Sequence, residues 1–125
     1  MAFDEYLAER VDRFFSAKHV EFFSKKMMGG LVFMVNEKMC AGVLKDKKNQ
    51  EDRIMLRIGN EFYEEALKSD SARKMDFTGI PMKGFVFIGP DGFDMDEDLE
   101  FWLQKALEFN PFAKKSPPKK KKIKK

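Results

Sequence analysis

The hydrophobic pattern of this chain centres on residues 25–43, KKMMGGLVFMVNEKMCAGV. The pair Gly29-Gly30 leads into an apolar run from Leu31 to Val35. A polar break, Asn36-Glu37-Lys38, separates it from a second small-and-apolar run, Met39 to Leu44. Two short apolar runs split by a polar break predict a β-hairpin. Leu31, Phe33 and Val35 point one way along its first strand, and Val32 and Met34 the other. Both faces are apolar, so this strand is expected to be central, with a helix on one side and a partner on the other.

The flanking pattern is mixed. Phe3, Leu7, Val11, Phe14 and Phe15 follow a helical period and predict a helix over 3–15, ended by Ser16-Ala17-Lys18. Residues 19–26 predict a short strand with Val20 and Phe22 on one face. Residues 45–53 are a polar loop, and Ile54, Leu56 and Ile58 alternate with Met55 and Arg57 in another strand ending at Gly59. Asn60 is the expected N-cap of a helix over 61–69 that turns Phe62, Tyr63, Ala66 and Leu67 inward. A strand near Lys74–Phe77, a turn at Thr78-Gly79-Ile80-Pro81 and a strand over Met82–Ile88 form a second hairpin. Gly89-Pro90-Asp91-Gly92 is a turn. A last helix buries Leu99, Trp102, Leu103, Ala106 and Leu107, and stops at Asn110-Pro111. The order α-β-β-β-(β)-α-β-β-α lacks a βαβ rhythm. It predicts the α+β class: a two-layer, antiparallel sheet of about five strands with helices packed on one face.

Charge divides the chain in two. Residues 113–125, AKKSPPKKKKIKK, carry eight lysines and no acid. Setting them aside turns a net charge of +3 into a body of 16 basic and 21 acidic residues, a net −5. The expectation is a domain over 1–112 and a disordered lysine-rich tail over 113–125. A single cysteine allows no intrachain disulfide. With an acidic N-terminus and no long apolar run, this predicts a cytoplasmic protein without a membrane span.

Candidate chemistry is sparse. The segment Lys25, Lys26, Met27, Met28, Gly29 and Gly30 admits two readings: an anion-holding surface of backbone N–H groups and lysines, or a tight bend feeding a central strand. It has no Walker or dinucleotide spacing. Arg57 is either an anion clamp or a cross-strand ion-pair residue, and Arg73 and Lys74 can extend a basic spot. Cys40 and His19 lack any spacing that suggests a catalytic pair, and an inert buried thiol accounts for Cys40. One His and one Cys make a poor metal set. Asp91, Asp94, Asp96 and Asp98 lack the calcium-loop order and suit a helix start. No catalytic residue, cofactor or metal is assigned. The tail lysines Lys114, Lys115, Lys119, Lys120, Lys121, Lys122, Lys124 and Lys125 either contact phosphates without sequence preference or only solubilise the chain. Anionic membrane is a weaker target, because Ile123 is the tail's only large apolar residue.

Three blocks resemble the TfoX N-terminal domain family: Lys26-Met27-Met28-Gly29-Gly30 with the hairpin to Gly42; Leu56-Arg57-Ile58-Gly59; and Met75-Asp76-Phe77-Thr78-Gly79-Ile80-Pro81-Met82-Lys83-Gly84, with Trp102 and Ala106-Leu107 in the last helix. The resemblance covers about residues 3–110. It implies an α+β fold that is often dimeric, similar to the N-terminal half of bacterial competence regulators, and it implies no shared enzymatic activity or cofactor. Met28 stands where the family usually has Phe, and the longer regulators' helical C-terminal domain has no counterpart in this sequence. The expected function is therefore a stand-alone, non-catalytic regulatory or protein-interaction domain, expected to form a homodimer in the family's manner, whose protein partner the sequence does not name. The alternative is non-specific DNA or RNA binding through the tail.

Overall fold

Alternation along the first apolar run decides which side of the sheet the helices cover. In the computed structural model, which describes residues 3–27, 29–46, 50–75 and 83–113, Phe33 and Val35 are fully buried on one face, and Val32 and Met34 belong to a separate cluster on the other. The elements in chain order are α1 (Glu5–Ala17), β1 (Phe22–Met27), β2 (Gly30–Val35), β3 (Lys38–Lys45), β4 (Asp52–Arg57), α2 (Asn60–Ala66), β5 (Ala72–Lys74), β6 (Phe85–Ile88) and α3 (Asp96–Phe109). They form one sheet of six strands in the order β1-β2-β3-β4-β6-β5, and every neighbouring pair is antiparallel.

The expected α+β architecture and element order are present, with six strands instead of about five. All three helices contribute to the same core. Leu7, Val11 and Phe15 of α1, Tyr63 and Ala66 of α2, and Leu99, Trp102, Leu103 and Ala106 of α3 pack with Phe33, Val35, Ile54, Leu56, Val86 and Ile88 of the sheet. Asp4 caps α1 by accepting from the Tyr6 N–H at 2.9 Å. Arg10 ties α1 to the start of α3: its Nη2 donates to the Phe93 carbonyl at 2.8 Å and to Asp96 at 2.9 Å. Asp96, Glu97 and Asp98 occupy the first turn of α3, where its positive end favours them.

Several local expectations are corrected. The first helix runs two residues further, to Ala17, and β1 starts only at Phe22. The supposed loop over 45–53 gives up Lys45, Asp52 and Arg53 to strands, because Lys45 pairs with Asp52 and their side chains form a 2.6 Å ion pair. The polar break between β2 and β3 is a two-residue turn, since Lys38 pairs with Val35. Asn36 and Glu37 both have positive φ, 52° and 67°, the primed geometry that matches strand twist. Gly59, at φ 87°, takes the N-cap position expected of Asn60, which becomes the first residue of α2. The second hairpin exists as the β5–β6 pair, but its residues 76–82 lie outside the described set, as does Met28.

Asn110 is the one buried polar side chain among the described residues. Its Nδ2 donates to the Val35 carbonyl at 3.1 Å, and its Oδ1 accepts from Asn36 at 2.9 Å. Its own carbonyl accepts from Lys38 Nζ at 2.9 Å. This group fastens the β2–β3 turn to the end of α3.

The turn yields a test. Glu37 pays the left-handed backbone cost that glycine avoids, so Glu37→Gly is expected to raise stability by about 1 kcal/mol. A urea melt reads this as a higher midpoint at unchanged slope. A lower midpoint would mean that the Glu37 side chain contributes more than its backbone costs.

Candidate interaction surfaces

The opening glycines have separate structural tasks. Gly29 takes φ 75° with open space around it, so its need is conformational. Gly30 is buried at the start of β2. A side chain there would strike the Val43 carbonyl and come within 2.8 Å of Leu44 Cβ. The pair thus lets β2 lie close against β3. This is what the bend reading needs.

Lys25 and Lys26 are exposed on β1, at one margin of the sheet, whereas Arg73 and Lys74 are exposed on β5 at the other. Four strands lie between them, roughly 24 Å at about 4.8 Å per strand spacing. They do not share a site. Arg57 lies on β4, paired with Phe85, and its guanidinium sits 5.5 Å from that ring. Arg73 is opposite Phe87 and Lys74 opposite Val86, so these two neighbours point to opposite faces. The expected basic spot of Arg57, Arg73 and Lys74 is therefore divided between the two faces of the sheet. Phe87 is also the platform for Arg53, whose guanidinium stacks 3.8 Å from the ring centroid while donating to Asp46 at 3.1 Å.

The far face of the sheet is largely closed within the chain. Val32, Leu44, Met55, Met75 and Phe87 are buried there, with Met27, Met34, Met39 and Phe85 half-buried around them. What remains open lies at the margin. β1 pairs only with β2 among the described residues. Phe23, 48% exposed, stands beside Ser24, Lys25 and Lys26 on the outer strand.

Cys40 occupies a bulge. Phe33 pairs with Ala41 and Met34 with Met39, which leaves Cys40 as the extra residue of β3, and both Cys40 and Ala41 enter the helix-side core. His19 is exposed after α1, so the two do not share an environment. Among the described residues no cluster of His, Cys, Asp and Glu could hold a metal ion. No described helix is long and apolar enough to cross a membrane.

A further surface was missed from sequence. Ile58, Phe62, Phe109 and Phe112 line a groove of about 650 Å³ beside α2 and the end of α3, with Glu61 and Glu108 on its rim. Gly59 makes it possible. A Cβ at Gly59 would meet the Phe109 ring, so only glycine lets that ring lie on the backbone entering α2. The signal was available: Phe109 and Phe112 continue past the buried stripe of the last helix, and Phe112 is 78% exposed. The tail lysines begin immediately beyond, at Lys114, outside the described residues.

The thiol allows a prediction. Burial pushes the Cys40 pKa up to about 12, against a smaller opposing pull from the Arg57 guanidinium. Native Cys40 should resist thiol reagents at mildly alkaline pH and react fully in denaturant. Between about 9 and about 12 the unfolded chain loses this proton and the native chain keeps it. Stability therefore declines as pH rises through that window, and Cys40→Ala removes this part of the decline. Rapid labelling of the native thiol would contradict the assignment.

No curated protein matches the chain significantly. The family model described as the TfoX N-terminal domain matches residues 15–110, from the last turn of α1 to the end of α3. The match spans most of the sequence and all six strands, and the chain belongs to the TfoX N-terminal domain family.

Proposed function

We propose that this protein is a non-catalytic, cytoplasmic regulatory domain that acts by pairing with another protein, first of all with a second copy of itself. The family supports a regulatory, competence-associated domain. The observation that carries the pairing is β1: a six-residue outer strand with an unpaired margin among the described residues and an exposed Phe23. Exposed strand edges recruit further strands, and lysines on them oppose pairing wherever they would face one another. Antiparallel pairing of two β1 strands about a two-fold axis can set Phe23 opposite Lys25 and Ser24 opposite Ser24 of the second copy, since opposed residues must share a face of the sheet. That register keeps lysines apart. The far face contributes less than its apolar sequence promised, because most of it is already covered.

Size-exclusion chromatography with light scattering tests this. Twice the monomer mass is expected at high concentration, and Phe23→Lys, which adds a third charge to the margin, should weaken association at least tenfold. A clean monomer at high concentration rejects the dimer.

The charge division favours a second reading, in which residues 114–125 bind nucleic acid without sequence preference. Anisotropy of labelled duplex DNA, with and without these residues over a salt series, separates the two. Eight phosphate contacts would give a log–log salt slope of up to roughly −7. Unchanged binding on removing the tail would reject it.

A further inference from the structure

The groove between α2 and the end of α3 combines aromatic walls with carboxylates on its rim. Phe62, Phe109 and Phe112 line it, and Glu61 and Glu108 are exposed beside them. Phe62 is backed by Phe101 at 6.5 Å and Trp102 at 6.4 Å between ring centroids, so its ring is held from behind. Lys105 also reaches the rim, 5.2 Å from the Phe62 centroid and 3.8 Å from Glu108. Glu108 also accepts from Gln104 at 3.3 Å, and its partly exposed pair with Lys105 is weak enough for another cation to displace.

Aromatic grooves with acidic rims have a general ligand chemistry. Proline rings stack on aromatic side chains with little entropy to lose, because polyproline II is already extended, and flanking cations meet the carboxylates. The sequence immediately beyond this groove is Lys114-Lys115-Ser116-Pro117-Pro118-Lys119-Lys120. Phe112, a wall of the groove, stands one residue before Ala113, the last described residue. Pro117 follows Ala113 by four residues, a reach of about 12 Å at about 3.1 Å per residue.

We propose that this groove is a docking site for a proline–lysine segment, and that its occupant is the chain's own residues 114–122. The groove offers Phe109 and Phe112 to proline rings and Glu61 and Glu108 to cations. The contacts need not be strong. A short tether supplies an effective concentration in the millimolar range, so an intrinsic affinity of about a millimolar fills half the grooves. Docking holds lysines against carboxylates, so a polyanion that takes the tail empties the groove. This goes beyond the pairing function of β1 and involves a different surface.

Amide and aromatic NMR spectra of the full chain test it, compared with Pro117→Gly/Pro118→Gly, which leaves every described residue unaltered. Proton–proton contacts from the Pro117 and Pro118 rings to Phe109 and Phe112 are expected. The substitutions should abolish them and shift the Glu61, Phe62 and Glu108 signals. Phe112→Ser, at an exposed site, should produce the same shifts at Glu61 and Glu108. Groove signals that superimpose between the original chain and the glycine variant overturn the proposal. Groove shifts that disappear on dilution also overturn it, by assigning the occupant to a second copy. DNA binding by the tail is read separately, by anisotropy, so either idea can fail without the other.

Discussion

Strand β4 must be dry on both sides, and most of the fold follows from that requirement. Ile54, Met55 and Leu56 are each no more than 1% exposed although they point alternately to opposite faces. A strand between β3 and β6 has its backbone satisfied by its neighbours, but its side chains need two separate covers. Three helices supply the first over Ile54 and Leu56, and a methionine- and phenylalanine-rich cluster the second around Met55. Each buried aliphatic contributes roughly 1.5–3 kcal/mol. The methionines suit the second cover because their unbranched chains fill irregular space between the flatter rings of Phe85 and Phe87.

The sequence was most legible where one periodicity governed one environment. The stripe Leu99, Trp102, Leu103 and Ala106, and the alternation of Ile54, Leu56 and Ile58, needed no tertiary information. Errors gathered where a local preference met a distant constraint. Asn60 has the side chain of an N-cap, but the Phe109 ring occupies the space over the preceding position and makes the start of α2 a glycine matter. Lys38 looks like loop, yet its pairing with Val35 and its bond to the Asn110 carbonyl draw it into β3. Cys40 was placed on a regular strand, and only the register exposes the bulge that sends it and Ala41 inward together.

Surfaces were less legible than the core. An apolar residue in sequence announces burial without saying what will bury it. The far side of the first hairpin read as vacant, and the chain itself covers most of it. Conversely, Arg57, Arg73 and Lys74 read as one basic spot, and Lys25 and Lys26 as part of a separate candidate surface. Strand order places two at one margin, two at the other, and Arg57 beside Phe85. The groove at Phe109 and Phe112 joins residues about fifty positions apart, which no window of sequence spans.

The Asn110 bonds have a consequence for how the molecule breathes. They join the β2–β3 turn to residues seventy-odd positions later, so fraying at the end of α3 breaks the buried bonds from Asn110 to the Val35 carbonyl and from Asn36 to Asn110. Fraying that would be nearly free at an ordinary helix end carries a penalty here. The last helix and the first hairpin are therefore coupled into one cooperative unit, and the chain secures its early turn only after nearly the whole domain has been synthesised.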